Sequence, residues 1–333
     1  MAEITTAEIK AYLEPLQGKE LTLNQVRDDF NILKGSKSWD SIRGIFFQLT
    51  EQRIVRPVGQ RSGVYKVITK VEPVRVFDLN RQDRPPFELT FPRNFDTMME
   101  MDFAEDIIIR EGDIILIAGM SNFFKTGMCL NFCGENIDKH PVLMGNEYTI
   151  QTETGYDVAP RFYNRVKAMS EWIQWTDSDG FDKFTLLPVW DDYAEHIVKD
   201  KINIIDWINL PGEYYMISPL MEKIKKAVGR GIGVLVIQKN EGTTYGIGGG
   251  RTREFADLEI LLDKFGDSDV LLTIGKVKEY TKSVIGKTYA FSSSKGVKII
   301  NFREVKRCPD CKGQGYTKGG ICNSCYGKKF IDK

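Results

Sequence analysis

The sequence predicts an α/β fold whose central sheet is mainly parallel. From residue 114 onward, apolar runs that suit strands alternate with helical patterns, and this alternation is typical of a parallel sheet. The first run, Ile114–Gly119, holds only apolar or small residues, as a strand buried on both faces requires. A chain of 333 residues suits about two domains. Its hydrophobic fraction of 42% is enough for a sizeable core.

The order of the expected elements follows from these patterns. Strands are expected at residues 140–147, 184–189, 201–206 and 233–238. Helices are expected at residues 162–175 and 221–228. In a parallel sheet the carboxyl ends of the strands meet at one edge, where ligands gather. The side chains that follow these strands are therefore the first candidates for a site.

The segment after Ile114–Gly119 has the layout of a phosphate-binding loop. A tight turn leads to Lys125, Thr126 and a helical run. The pattern is G-x-x-x-x-G-K-[ST], with Phe124 in place of the second glycine. In such loops backbone N–H groups and a helix N-terminus face an anion, the lysine reaches the phosphates and the hydroxyl ligates Mg²⁺. An ordinary strand-turn-helix with a surface lysine is the alternative. The candidate nucleotide-binding residues are Gly119, Ser121, Asn122, Phe124, Lys125, Thr126 and Gly127.

Three later strands end in polar residues, namely Glu147, Asp206 and Gln238. Mg²⁺ takes oxygen ligands, commonly one or two carboxylates with phosphate oxygens and water. Asp206 suits the metal, Glu147 suits the attacking water, and Gln238 suits a sensor of the γ-phosphate. Each alone could also be a strand-end residue that caps a loop.

In this order, the residues make the segment from about 100 to 303 similar to the RecA-like core of DnaB-type replicative helicases and their phage and plasmid relatives. The resemblance implies a RecA-like P-loop ATPase that uses ATP and Mg²⁺. It implies that Lys125, Thr126 and Asp206 hold the nucleotide and magnesium. It also implies that Glu147 is the catalytic glutamate and that Gln238 opens a DNA-facing loop.

Two further segments carry expectations from the same resemblance. The glycine-rich loop at residues 241–253 corresponds to one that holds single-stranded DNA, with Lys239, Arg251 and Arg253 as candidate phosphate contacts. The hairpin that contains Lys276 and Lys278 resembles one that reaches a neighbouring subunit's nucleotide, although lysine lacks the planar fork of arginine. A flexible surface loop and a plain exposed hairpin are the alternatives.

Residues 1–72 resemble a winged helix. Three helical patterns precede a hairpin, and Thr22 with Gln25 forms an expected capping box. In such modules the third helix commonly enters the major groove and the wing contacts the backbone. Arg43 and Arg61 are candidate DNA contacts here, and a protein-interaction module is the alternative. Residues 73–100 are expected to be an ordered, proline-rich linker between this domain and a core at 101–305.

The last segment, residues 306–333, contains two C-x-x-C pairs separated by ten residues. Four thiolates at this spacing suit one tetrahedral Zn²⁺. The motif Cys-Pro-x-Cys-x-Gly-x-Gly resembles one module of the DnaJ zinc region. A redox-active cysteine pair is the alternative to a zinc site. The expected zinc ligands are Cys308, Cys311, Cys322 and Cys325.

Charge and composition limit the binding partners and the cellular location that the sequence predicts. The formal net charge is zero, yet residues 270–333 hold 14 Lys/Arg and 4 Asp/Glu. A basic region of this kind can meet a polyanion. The absence of a membrane-length apolar run and of a signal-peptide core, with cysteines suited to metal, predicts a reducing cytoplasmic location without membrane contact.

The first functional hypothesis is therefore an ATP-dependent motor, a helicase or translocase in replication. It would act on single-stranded or forked DNA as a ring or filament of identical subunits, with other replication or recombination proteins as possible partners. The second hypothesis is a RecA-like recombination mediator or annealing protein. The third is a DNA-binding loader or regulator in which the nucleotide acts as a switch.

Overall fold

The computed structural model describes residues 4–59, 63–76, 84–209 and 214–333. They fall into two compact units, Met1–Asp83 and Arg84–Lys333. The segment with the four paired cysteines belongs to the second unit. Within the described ranges, no helix is both long and apolar enough to cross a membrane.

The first unit combines three α-helices with a small antiparallel sheet. Its elements are α1 (Thr6–Leu13), β1 (Glu20–Thr22), α2 (Leu23–Asp29), α3 (Lys37–Glu51), β2 (Val55–Pro57) and β3 (Val64–Val67). The strands lie in the order β1-β3-β2. The three expected helices and the hairpin are confirmed, whereas the three-residue β1 was not predicted. Thr22 and Gln25 form the expected capping box, in which each side chain accepts the other residue's backbone N–H.

Helix α3 shows how this unit gains its core. Ile42, Ile45, Phe46 and Leu49 lie on one face and are buried, as an amphipathic helix requires. Arg43 lies on the exposed side of the same helix. Arg61 falls outside the described residues.

The second unit is a mixed α/β structure. Its strands and helices are β4 (Arg93–Asn94), β5 (Met99–Glu100), β6 (Ile114–Gly119), α4 (Lys125–Glu135), β7 (Val142–Met144), β8 (Thr149–Thr152), β9 (Gly155–Val158), α5 (Pro160–Met169), β10 (Thr185–Leu187), β11 (Ile202–Ile208), α6 (Ile217–Ala227), β12 (Ile232–Gln238), β13 (Leu258–Phe265), β14 (Asp269–Val277), β15 (Thr288–Ser294), β16 (Lys298–Arg307), β17 (Tyr316–Thr317), β18 (Gly320–Ile321) and β19 (Phe330–Asp332). The strands and helices expected here are confirmed. Helix α5 ends at Met169, earlier than the expected residue 175, and β7 ends at Met144, so Glu147 lies in the loop after the strand and not at its last position.

Ten of these strands form one sheet in the order β10-β7-β11-β12-β6-β13-β14-β15-β16-β19. The pairs from β10 to β13 are parallel, and the pairs from β13 to β19 are antiparallel. The predicted parallel sheet is therefore confirmed for six strands and continues as an antiparallel extension. Strand β6 lies between β12 and β13, so the loop that follows it opens near the middle of the ten-stranded sheet.

Both faces of the parallel part of the sheet are covered. Helices α4 and α5 and residues 87–109 share one apolar core with one face. Helix α6 packs against the other face through Met221 and Ile224. Part of the expected linker thus joins the core, because Phe91 is buried beside Phe103 and Phe132. The cysteine-bearing segment is anchored by β19, which pairs with β16 at the edge of the sheet.

Candidate functional site

A cavity of about 350 Å³ opens at the carboxyl end of the parallel strands. Nine of the residues expected to form the nucleotide site line it. They are Ser121, Asn122, Phe124, Lys125, Thr126, Gly127, Glu147, Asp206 and Gln238. Since these residues come from four separate strand ends, the tertiary fold is what brings them together.

Strand register explains why the groups meet. Gln238 pairs with Gly119 across β12 and β6. Ile205, which precedes Asp206, pairs with Met144 on one side and Leu235 on the other. The strands consequently end at one level, and the N-terminus of α4 faces the same space. A helix N-terminus carries unpaired N–H groups and a positive dipole end, which favours an anion.

Lys125 is the first residue of α4, and its stem crosses Gly119 closely. A Cβ on Gly119 would lie 2.8 Å from Lys125 Cγ, so glycine is needed here for close approach and not for a positive φ. Lys125 Nζ donates a hydrogen bond to the carbonyl oxygen of Met120 at 2.6 Å. Burial lowers the pKa of Lys125, while the nearby carboxylates of Asp206 and Glu147 oppose that shift. An anion in the cavity would favour the charged ammonium in the same way.

Phe124 occupies the expected position of the second glycine without filling the cavity. Its backbone is left-handed, with φ of 60°, a conformation that glycine adopts without cost. The residue is only 8% exposed, and its ring packs edge-on against Phe291, with ring centroids 5.2 Å apart. Asn122 is also left-handed at φ of 64°, which asparagine tolerates better than most residues. The loop therefore keeps a tight shape, and packing offsets the strain at Phe124.

Asp206 is the buried carboxylate of the cavity, at 6% exposure. Tyr148 Oη donates to its Oδ2 at 2.7 Å. Burial raises the pKa of Asp206, whereas hydrogen bonds from Tyr148 and Thr126 act in the opposite direction. The pairing of β11 with β12 shifts register after Ile205, and Trp207 has a positive φ of 69°. Such irregularities often re-aim side chains beside functional sites.

Two arginines that the sequence analysis did not single out also line the cavity. Arg161 and Arg165 lie four residues apart on α5, which places them on one helix face. Arg165 also lies close to Gly296. A Cβ added at Gly296 would be 3.5 Å from Arg165 Nε. The i, i+4 spacing was a signal in the sequence, but only the fold tells which helix face meets the cavity.

The three expected DNA contacts in and beside the glycine-rich loop differ in how exposed their charges are. Lys239 is 1% exposed, and its Nζ donates to Asp263 Oδ1 at 2.5 Å. In this conformation it offers no charge to a DNA backbone. Arg253 Nε donates to buried Glu259 at 2.5 Å and its Nη2 donates to the Thr244 carbonyl. Arg251 alone of the three is exposed.

Lys276 and Lys278 lie away from the cavity of their own chain. Val277 pairs with Leu258, which in turn pairs with Ile115 near the start of β6, whereas the cavity follows the end of β6. Lys276 Nζ donates to the Arg253 carbonyl at 2.7 Å, and Lys278 Nζ donates to Asp257 at 2.8 Å. These lysines could therefore contact only a nucleotide that is bound to another subunit.

The four cysteines of the C-terminal segment form a second candidate site. Their sulfur atoms lie within 4.8 Å of one another, and all four side chains are buried. Cys308 Sγ is 3.8 Å from Cys322 Sγ, and Cys311 Sγ is 3.6 Å from Cys325 Sγ. Tetrahedral Zn²⁺ with Zn–S bonds of about 2.3 Å separates its sulfurs by about 3.8 Å. The cluster can hold a metal ion such as zinc. Cys129 and Cys133 are buried on α4 and belong to the apolar core beside the sheet.

Comparison with known proteins gives no family for this chain. No family model matches it, and no curated protein is significantly similar to it. The functional argument therefore depends on the geometry of the residues themselves.

Proposed function

We propose that the cavity binds Mg·ATP and that the chain is a RecA-like, ATP-dependent motor acting on DNA. One observation carries the proposal. Lys125 and Thr126 at the start of α4 line a single cavity together with Glu147, Asp206 and Gln238, which come from the carboxyl ends of three different strands. Groups of this kind, in this arrangement, serve phosphoryl transfer in P-loop proteins.

The residues present fit a magnesium nucleotide. Gly119 leaves room for the Lys125 stem, which brings the ammonium to the loop that would hold the phosphates. The Thr126 hydroxyl and the Asp206 carboxylate supply the oxygen ligands that Mg²⁺ prefers. When bound, the ion would neutralise phosphate charge. Tyr148 fixes the carboxylate of Asp206 through its hydroxyl, as partners of metal ligands commonly do.

The other polar groups of the cavity have distinct tasks in this proposal. Glu147 is exposed and lies at the cavity, so it can orient a water molecule for attack and accept its proton. Gln238 lies beside Gly119 and can donate to a phosphate oxygen. Arg161 and Arg165 add positive charge from the same chain, where charge spreads over the phosphoryl oxygens in the transition state.

Lys125→Ala tests the nucleotide part of the proposal. The zinc-loaded full chain should hydrolyse ATP faster with single-stranded DNA present, and Lys125→Ala should abolish both ATP binding and turnover. Lys223→Ala, an exposed lysine on α6 away from the cavity, is the matched control and should behave as the unmodified protein. Absence of ATP binding by the unmodified chain would refute the proposal. Unwinding of a forked duplex that requires ATP would establish the motor.

A nucleotide switch that controls DNA loading is the second candidate, and one observation favours it. Lys276 and Lys278, the candidate groups for completing a neighbour's site, both bind acceptors within their own chain. Hydrolysis would then be slow unless assembly releases them. ATP binding with negligible turnover at saturating DNA, together with no unwinding, would support the switch over the motor.

A further inference from the structure

A second depression, of about 830 Å³, has Met120, the residue directly after β6, among its lining residues. One wall is the antiparallel part of the sheet, from β13 to β16. The cysteine-bearing segment adds Lys312, Gly313 and residues 328–330 at the start of β19, and residues 241–244 of the glycine-rich loop also line the depression. We refer to this depression as the basic groove.

The sheet side of the basic groove is rich in cationic side chains. Four of these cations come from three strands or their flanks. They are Lys264 on β13, Lys287 directly before β15, and Lys306 and Arg307 at the end of β16. Strand pairing alone brings them together, because they are up to 43 positions apart in the chain. Three of the four are exposed, and Lys287 is half-buried.

The cysteine-bearing side adds Lys312, Lys328 and Lys329, all of them exposed. Among the residues that the structure describes, none of these seven cations forms an ion pair. Two of the acidic residues in the groove are already engaged, since Asp263 binds Lys239 and Glu304 binds Lys333. The third acidic residue of the groove, Glu241, is exposed on the glycine-rich loop. With Lys333 included, eight Lys/Arg and three Asp/Glu line the groove, which therefore has a clear excess of positive charge.

We propose that the basic groove binds the sugar-phosphate backbone of a single nucleic acid strand. A strand with one charge per nucleotide can neutralise the cations of the sheet and of the cysteine-bearing segment, and positively charged grooves track single-stranded backbones in this way. The groove also offers apolar contact surface for bases at half-buried Phe330 and at Ile285, which is 48% exposed. A mixture of cations and apolar surface fits unpaired nucleotides, whose base faces are accessible, and is sequence-tolerant.

The position of the groove links it to the candidate nucleotide site. Met120 lines the groove, and its carbonyl oxygen accepts the hydrogen bond from Lys125 Nζ. The groove therefore adds a path for the DNA strand to the proposed motor. Only the choice of DNA as the bound nucleic acid rests on the proposed function. Binding in the groove can be measured without any nucleotide, so the two proposals can fail separately.

The experiment uses the zinc-loaded full chain and a fluorescently labelled oligothymidine, without nucleotide. Binding is measured by anisotropy between about 50 and about 200 mM salt. Lys264→Ala, Lys306→Ala and Lys328→Ala are combined in one groove variant. The control variant combines Lys167→Ala, Lys199→Ala and Lys223→Ala, which remove three exposed lysines outside the groove. Zinc content and thermal unfolding are measured for both, to show that each variant is folded.

The groove variant should reduce the slope of log K against log salt by about 2, because each single-strand phosphate contact contributes about 0.7. The control variant should keep the slope of the unmodified protein. An unchanged slope in the groove variant, or an equal loss in the control, would overturn the proposal. So would binding of polyglutamate, used in place of the oligothymidine, with equal affinity and equal sensitivity to the groove variant. If the oligothymidine binds as expected while ATP does not, the groove stands and the motor fails.

Discussion

Lys125 Nζ donates a 2.6 Å hydrogen bond to the carbonyl oxygen of Met120, the residue directly after the Gly119 that its stem crosses. The ammonium is thereby held back against its own loop. A phosphate group in the cavity would compete with this carbonyl for the ammonium protons, and a charged acceptor forms the stronger hydrogen bond. Since Met120 also lines the basic groove, exchange of this one bond offers a direct physical link between the two depressions.

The first prediction concerns the strain at Phe124. Phe124→Gly and Phe124→Ala should both lower stability, because both remove a buried ring that packs against Phe291. Phe124→Gly should nevertheless be more stable than Phe124→Ala by about 1 kcal/mol, since glycine tolerates the left-handed backbone and alanine does not. Denaturant unfolding measures both.

At an ordinary helix position alanine is the more stable of the two residues, which makes the expected order informative. Gly44→Ala supplies the reference, because nothing lies within 4 Å of a Cβ added at Gly44 in α3. That change should stabilise its helix. An alanine variant at Phe124 that is more stable than the glycine variant would show that the loop relaxes out of the left-handed conformation.

The second prediction concerns the hydroxyl that holds Asp206. Tyr148→Phe keeps the ring, which packs against Phe162, but removes the donor to Asp206. The Mg²⁺ concentration for half-maximal ATP hydrolysis should rise about tenfold, because loss of a group that orients a metal ligand costs 10- to 100-fold in affinity or activity (order-of-magnitude estimate). Titration of turnover with MgCl₂ gives the value. Tyr289→Phe, also buried but stacked on Phe302, should leave it unchanged.

The third prediction concerns how much each of the two arginines of α5 contributes to ATP hydrolysis. Arg165→Ala should lower kcat for ATP by about 100-fold with a smaller change in KM, as expected for a group that stabilises charge mainly in the transition state. Arg161→Ala should have a smaller effect, because that side chain is exposed and solvent screens it.

Lys167→Ala is the matched control for both arginines, since it removes an exposed cation from the same helix outside the cavity. Its kinetics should equal those of the unmodified chain. A rise in KM alone for Arg165→Ala would mean that the arginine only attracts the nucleotide.

The fourth prediction concerns the cysteine cluster. Cys322→Ser should lower bound zinc from about one ion per chain to near zero, because four thiolates are needed to close the tetrahedral shell. Strand β19 should then lose its hold on β16, since it leaves the cluster only five residues after Cys325. Zinc is measured with a colorimetric chelator, and β19 by hydrogen exchange of its amides.

Cys133→Ala is the control, because it removes a buried thiol on α4 that lies outside the cluster. It should lower stability through lost packing and leave the zinc content unchanged. Full zinc retention by Cys322→Ser would contradict the four-thiolate site.

The sequence by itself determined the local elements and the residues with distinctive chemistry. Buried strands such as Ile114–Gly119 are recognisable because their composition alone excludes a solvated face. The capping box at Thr22 and the cysteine spacing are local patterns, which depend on neighbours a few positions away. Glu147, Asp206 and Gln238 were predictable as partners, because parallel strands end at one edge.

Only the tertiary structure decided which charges face a site and which are neutralised inside the protein. Lys239 reads as an available cation in the sequence, but its partner Asp263 lies 24 positions away and is brought to it by strand pairing. Arg161 and Arg165 face the cavity because α5 packs with Met169 and Phe162 inward. The cations of the basic groove likewise meet only through long-range pairing. Electrostatic energy depends on distance and burial in space, and sequence separation specifies neither.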